Sequence, residues 1–271
     1  MITTIDGLNL HTVNWLAQNE KARMVLVHGY AEYARRYDHF AKFLNQHGIS
    51  VYAFDHRGHG DSEGDEVYVD SYDLLLNDLD RFIASLGSSE VPVFVFGHSM
   101  GGLIACEYFL SEYAGNHQIR GMILSGPGLM PSKEISALLV KLSGFLGKYF
   151  PRMKTIQLDP TAVSSAPKEV EKYINDPKVY SGKWIARTGA ELVKMMRHVQ
   201  TNADKMSIPF FLGHGDSDKL AEIEGSRIFY TNAGSEDKAF KTYEGYYHEL
   251  VNEPGRQVFM DDVLSWIKER I

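Results

Sequence analysis

The sequence predicts an α/β protein: a mostly parallel central sheet with helices on both faces, interrupted by an inserted helical cap. Three observations predict it. Short apolar runs alternate with longer amphipathic ones. The short runs are bounded by Gly, Pro or His. The alternation then stops over residues 127–205, about eighty residues with no convincing strand. Strand, helix, strand in this order makes βαβ units, whose strands are parallel and covered on both faces. A chain of 271 residues is long enough to bury such a core.

The strands are expected at 24–28, 49–54, 91–96, 120–125 and 208–213, with a sixth at 239–243. Each run is short and rich in β-branched or aromatic residues, as in Val91-Pro92-Val93-Phe94-Val95-Phe96. Helical patterns fall at 36–47, 71–86, 100–114, 220–232 and 254–270. The break at 127–205 divides the chain into a core, 1–126 with 206–271, and the cap. Ile135, Leu138, Leu139, Leu142, Phe145, Leu146, Tyr149 and Phe150 have the spacing of one apolar helix face. A second cap helix is expected from Lys183 to Gln200. In a parallel sheet of this kind, active groups collect in loops at the carboxyl ends of the strands.

Composition narrows the partners. Hydrophobic residues make up 44% and charged residues 23%, as in ordinary globular domains, and the formal net charge is −7. A nucleic acid partner needs a basic surface, so none is expected. The single cysteine, Cys106, lies in an apolar helical run and reads as a small core residue. The amino-terminal residues have neither the basic stretch nor the apolar run of a secretory signal. No stretch approaches the roughly eighteen apolar residues of a membrane span. The expected location is cytoplasmic, with peripheral membrane contact through the cap left open.

Gly97-His98-Ser99-Met100-Gly101 carries the chemistry. It is a G-x-S-x-G between an apolar strand and a helix, the setting of the nucleophile elbow in the α/β-hydrolase fold. The small glycines permit a sharp turn that holds Ser99 at the tip of the sheet. The following helix aims free N–H groups and its positive end at the site. A serine hydroxyl needs a base, and in this fold the chain order is Ser, acid, His. His248, on the loop after the last strand, stands where the base belongs. The acid belongs after the strand at 208–213, where Asp216 and Asp218 compete; the other would form a turn or cap the next helix. Backbone N–H groups of Tyr30 and Met100 are the candidate oxyanion donors. Asp55, His56, His59 and Asp61 invite a metal, but their glycine-punctuated loop reads better as tightly hydrogen-bonded structure. No metal site is expected, and no phosphate loop or dinucleotide fingerprint is present.

Together these motifs resemble the monoacylglycerol lipase family of serine hydrolases, also described in bacteria as lysophospholipases. His28-Gly29 through Glu32 resembles the family's HGxxE loop, and Asp55 through Gly64 its D-x-x-G-H-G-x-S-x-G segment. Gly97 to Gly102 is similar to its GHSMGG, and Tyr243-Glu244-Gly245 with Tyr247-His248 to its Y-E-G-x-Y-H ending. Glu171 through Pro177 echoes its cap. The resemblance implies hydrolysis of the ester of a one-chain glycerolipid to fatty acid and glycerol, with no cofactor. It places the acid last in a G-x-x-D pattern, which favours Asp218. It also implies that Glu32, Arg36 and Tyr173 hold the glycerol end. Val251 stands where the mammalian enzymes place a second histidine that contacts glycerol, a departure that bears on head-group preference. The enzymatic alternatives are a lysophospholipase and a general carboxylesterase. A non-catalytic ligand-binding module on the same fold is more distant, because such modules usually lose a triad member and none is missing here.

Overall fold

The computed structural model describes residues 1–271. Nine strands follow in chain order: β1 (Ile2–Thr3), β2 (Asn9–Leu10), β3 (Thr12–Trp15), β4 (Ala22–Val27), β5 (Ile49–Phe54), β6 (Val93–His98), β7 (Ile119–Ser125), β8 (Phe210–Gly215) and β9 (Lys238–Tyr243). β1 and β2 form a small antiparallel pair. The other seven form one sheet in the order β3-β5-β4-β6-β7-β8-β9. Every pairing in it is parallel except β3 with β5, where Val13 lies opposite Ala53.

The inner strands are apolar throughout because both their faces are covered. β4 buries Met24, Val25, Leu26 and Val27 completely. Helices α1 (Asp38–Gln46) and α8 (Arg256–Lys268) cover one face, bringing Phe40, Leu44, Phe259 and Val263 into one core cluster. Helices α2 (Tyr72–Ser85), α3 (Met100–Leu110) and α7 (Ile223–Asn232) cover the other. Ser71 caps α2 by accepting the Asp73 N–H, and Leu75, Leu79 and Phe82 face inward below it. α3 is buried from Met100 to Tyr108, as a helix apolar on all sides must be. Cys106 lies within it, and burial pushes its thiol up.

The six expected strands are present, each displaced by no more than two residues at either end. β1, β2 and β3 were not expected. β3 is a four-residue edge strand whose alternation, Val13 and Trp15 inward, Thr12 and Asn14 outward, is too short to stand out.

Between β7 and β8 no strand joins the sheet. The chain forms α4 (Ala137–Tyr149), α5 (Pro167–Asn175) and α6 (Ala186–Thr201). α6 turns Leu192, Met195 and Val199 into the main core, and α4 rests on it where Gly147 meets Ala190. α5 was also unexpected: it opens at Pro167, spans nine residues and buries none of them fully, so its short stripe of Val170, Tyr173 and Ile174 does not stand out. Polar contacts tie this segment to the rest. Tyr180 N–H donates to Ala31 O at 2.9 Å, Glu249 N–H to Val163 O at 2.8 Å, and Tyr33 OH to Asp176 at 2.7 Å. No helix is long and apolar enough to cross a membrane.

Candidate active site

Ser99 sits between the end of β6 and the start of α3, with φ 51° and ψ −117°. Such a conformation is rare for a residue with a side chain and persists only where its surroundings impose it. Here they do. A Cβ on Gly97 would lie 2.5 Å from Gly101 O, and one on Gly101 would strike Val27 O and lie 2.5 Å from His28 O. The turn can pass this close to the end of β4 only because both positions are glycine. Ser99 N–H donates to Ser125 O, and Ser99 O accepts from Gly128 and Leu103, fixing the turn from three sides.

The loop after β4 runs beside it. Ala31 takes φ 68°, and the N–H of Tyr30 finds no acceptor in the protein. Met100 opens α3, where the first N–H has no intrahelical partner. Both line the same cavity as Ser99 and His248. Behind the loop, Asp55 accepts from Ala34 and Asp61 N–H and faces His11 Nδ1, while His56 bonds His28 through both its backbone N–H and its ring. The polar Asp55–Ser62 loop thus braces the end of β4.

His248 lies on the loop after β9 and is buried, with Nδ1 2.7 Å from Asp218 Oδ2. The other oxygen, Oδ1, accepts the N–H groups of Leu220 and Ala221 at 2.8 and 3.0 Å. Burial pushes the Asp218 carboxyl up, but the His248 charge and hydrogen bonds from His214 and His248 outweigh it and hold the group far below the usual carboxylate range. Burial likewise pushes His248 down, and the attraction of Asp218 outweighs it, leaving His248 above the ordinary imidazole. Its neighbour His98, 4.7 Å away between ring centres, is driven down to about 3 by burial and by repulsion from His248, and so stays neutral. Asp216 is different: it is exposed and accepts the Gly245 N–H at 2.8 Å, the work of a turn residue.

Glu32 and Tyr173 line the cavity; Arg36 does not. Glu32 accepts from Gly29 N–H and Tyr37 OH through Oε1 and from Arg36 through Oε2, all at 2.7 Å. Arg36 also grips Glu249 with both terminal nitrogens, at 2.6 and 2.7 Å, and lies under the Tyr173 ring at 4.7 Å. Burial raises the Glu32 carboxyl, whereas Arg36 overcomes burial at Glu249 and lowers it. Tyr173, which lines the cavity, makes no hydrogen bond through its OH within the protein. Glu249 escaped the sequence reading, and only its place beside His248 pointed to it. His214 escaped as well.

The cavity has a volume of about 170 Å³ and is walled mostly by hydrophobic side chains, among them Met130, Leu139, Leu146, Ile156, Trp184 and Met196. Every charged carboxylate or basic side chain on its wall other than histidine is an acid: Glu32, Asp159 and Glu249.

Known proteins resemble this chain along most of its length. Residues 18–255 match the family described as "Serine aminopeptidase, S33". The chain is 39% identical to a monoacylglycerol lipase of Mycolicibacterium smegmatis, over 90% of this chain and 87% of that protein. It is 29% identical to the monoglyceride lipase of Rattus norvegicus, over 100% and 90% of the two chains. The crystal structure of a monoacylglycerol lipase from Paleococcus ferrophilus superimposes with a TM-score of 0.88 at 30% identity, covering 97% of this chain and 100% of that one. The chain therefore belongs to this serine hydrolase family, and is a carboxylic ester hydrolase of the α/β-hydrolase fold with lipase or esterase activity.

Proposed function

We propose that the protein hydrolyses monoacylglycerols to fatty acid and glycerol through a Ser99–His248–Asp218 triad. His248 takes the Ser99 proton as Oγ attacks the ester carbonyl. The N–H groups of Tyr30 and Met100 hold the oxyanion, and Asp218 fixes the ring and stabilises the imidazolium. The glycerol oxygen leaves with the proton from His248. Water, deprotonated by His248, then attacks the acyl-Ser99 ester, and the fatty acid departs as Ser99 recovers its proton.

The observation that carries the substrate is the charge of the cavity. An apolar wall suits an acyl chain, and the acids Glu32 and Glu249 with Tyr173 OH offer acceptors and a donor to neutral hydroxyls. A phosphodiester head group would meet two buried carboxylates there, while Arg36 is already held by both. This argues against the lysophospholipase alternative. Residues 127–205 act as the cap, since α4, α5 and α6 supply much of the wall. The cap also meets the lipid surface: Leu138, Leu142, Phe145, Tyr149 and Phe150 are exposed on or beside α4, with Lys141, Lys148 and Arg152 among them.

The test is a substrate panel of matched acyl length, with Ser99→Ala as control. The monoacylglycerol should be cleaved at least about tenfold faster than the lysophospholipid, and Ser99→Ala should lose several orders of magnitude while folding normally. Faster cleavage of the lysophospholipid would overturn the substrate, and turnover by the Ser99→Ala protein the mechanism.

A further inference from the structure

The triad carboxylate has a second imidazole on it. His214, the fifth residue of β8, is completely buried, with Nε2 3.1 Å from Asp218 Oδ2 and 3.2 Å from Ala221 O. Its Nδ1 lies 2.8 Å from Ser226 Oγ, on α7, which is also completely buried. Both neighbours of Nε2 are acceptors, so Nε2 must carry a proton. Ser226 Oγ is placed to donate to Nδ1, an arrangement that holds the ring in one orientation. Asp218 Oδ2 thus faces two rings at once: it accepts from His248 at 2.7 Å and lies 3.1 Å from His214 Nε2, whose one proton it shares with Ala221 O.

We infer that His214, oriented by Ser226, is a positioning residue for the hydrolysis: it pins Asp218 Oδ2 and sets how much of the carboxylate's charge reaches His248. This rests on the triad proposed above. The physical consequence has a direction. A donor on a carboxylate oxygen draws charge toward itself and weakens that carboxylate's hold on any other partner. Removing the His214 donor leaves more negative potential at His248 and favours imidazolium. The other groups facing His248 are His98, Glu249 and Glu32, and none of them changes. The base becomes protonated at higher pH, so the acid limb of the kcat/KM profile rises. With one contact gone the carboxylate also loses its fixed orientation, which lowers kcat without touching the substrate.

Two amide substitutions separate this role from simple packing. Glutamine can place a donor near the Nε2 position of histidine, whereas asparagine can place one only near Nδ1. His214→Asn should lower kcat about tenfold with KM within about twofold, and move the acid limb up by about half a pH unit. His214→Gln should return the limb to its original position and restore most of kcat. Ser226→Ala should move the limb the same way by less, and carries the test if His214→Asn does not fold. An unmoved limb in the folded variants, or His214→Gln as impaired as His214→Asn, overturns the inference. Asp218→Asn, run alongside, tells the two levels apart. If it is crippled while the His214 variants titrate like the parent, only His214's role falls; if it turns over like the parent, the triad falls too.

Discussion

The floor of the cavity and its roof are built on opposite terms. On the floor, nearly every polar group is held by several others. Asp218 accepts from three partners and faces a fourth, Glu32 accepts from three, and Arg36 is gripped by two carboxylates. The roof's outer helix, α4, makes no hydrogen bond to the sheet domain and shows large apolar side chains to solvent; Phe145 is 55% exposed and Leu138 64%. Reaction chemistry needs groups held to fractions of an ångström. A lipid, the substrate proposed above, would have to enter past something that offers it apolar surface and can yield. The contrast places precision under the substrate and compliance above it.

The sharpest way to break that contrast is at Asp218. Asp218→Asn should cost about 10⁴-fold in kcat, as loss of the equivalent acid does in a serine protease, whereas Asp216→Asn should stay within about threefold. Steady-state rates on one soluble ester decide it, and a crippled Asp216→Asn would move the acid by two residues.

Arg36 tests whether the floor is as tightly coupled as it looks. Arg36→Met would leave two buried carboxylates facing each other and should destabilise the fold by about 3–5 kcal/mol in denaturant titration. The sign with pH follows from the lost cation. Both carboxyls then titrate above their unfolded values, so the deficit should shrink as pH falls and they take up protons. A deficit that grows on acidification would contradict the network.

Where floor and roof meet, Tyr173→Phe removes one hydroxyl and little else. It should lower kcat/KM for a monoacylglycerol about fivefold and leave a nitrophenyl ester of the same chain within about twofold. Equal losses would mean that the residue shapes the site without reading the head group. The smallest effect belongs to the roof's outer surface. Phe145→Ser should reduce sedimentation with phospholipid vesicles about threefold while hydrolysis of a soluble ester is unchanged. A change in the soluble reaction would show that α4 also organises the floor.

The same contrast explains what could be read without the structure. The inner strands were legible because burial on both faces demands unbroken apolar runs such as Met24–Val27. Ser99 stood out because its turn constrains five consecutive residues. α5 is only nine residues long, and its stripe of Val170, Tyr173 and Ile174 is too short to set a periodicity. The Arg36–Glu249 pair joins residues 213 positions apart, and no local pattern encodes such a meeting. His214 drew no notice because its meaning lies in Asp218 and Ser226, which only the fold brings to it. Long-range polar contacts are what a sequence hides best, and the floor is made of them.

Ser99 itself shows what such a floor does to the whole molecule. Its backbone lies where a side chain costs about 1–3 kcal/mol, a sum that a glycine would not incur. Replacing this proposed nucleophile with glycine should therefore raise the melting temperature even as it abolishes turnover. A population of variants screened for heat resistance alone would drift toward discarding this serine. Only selection for turnover keeps it in place.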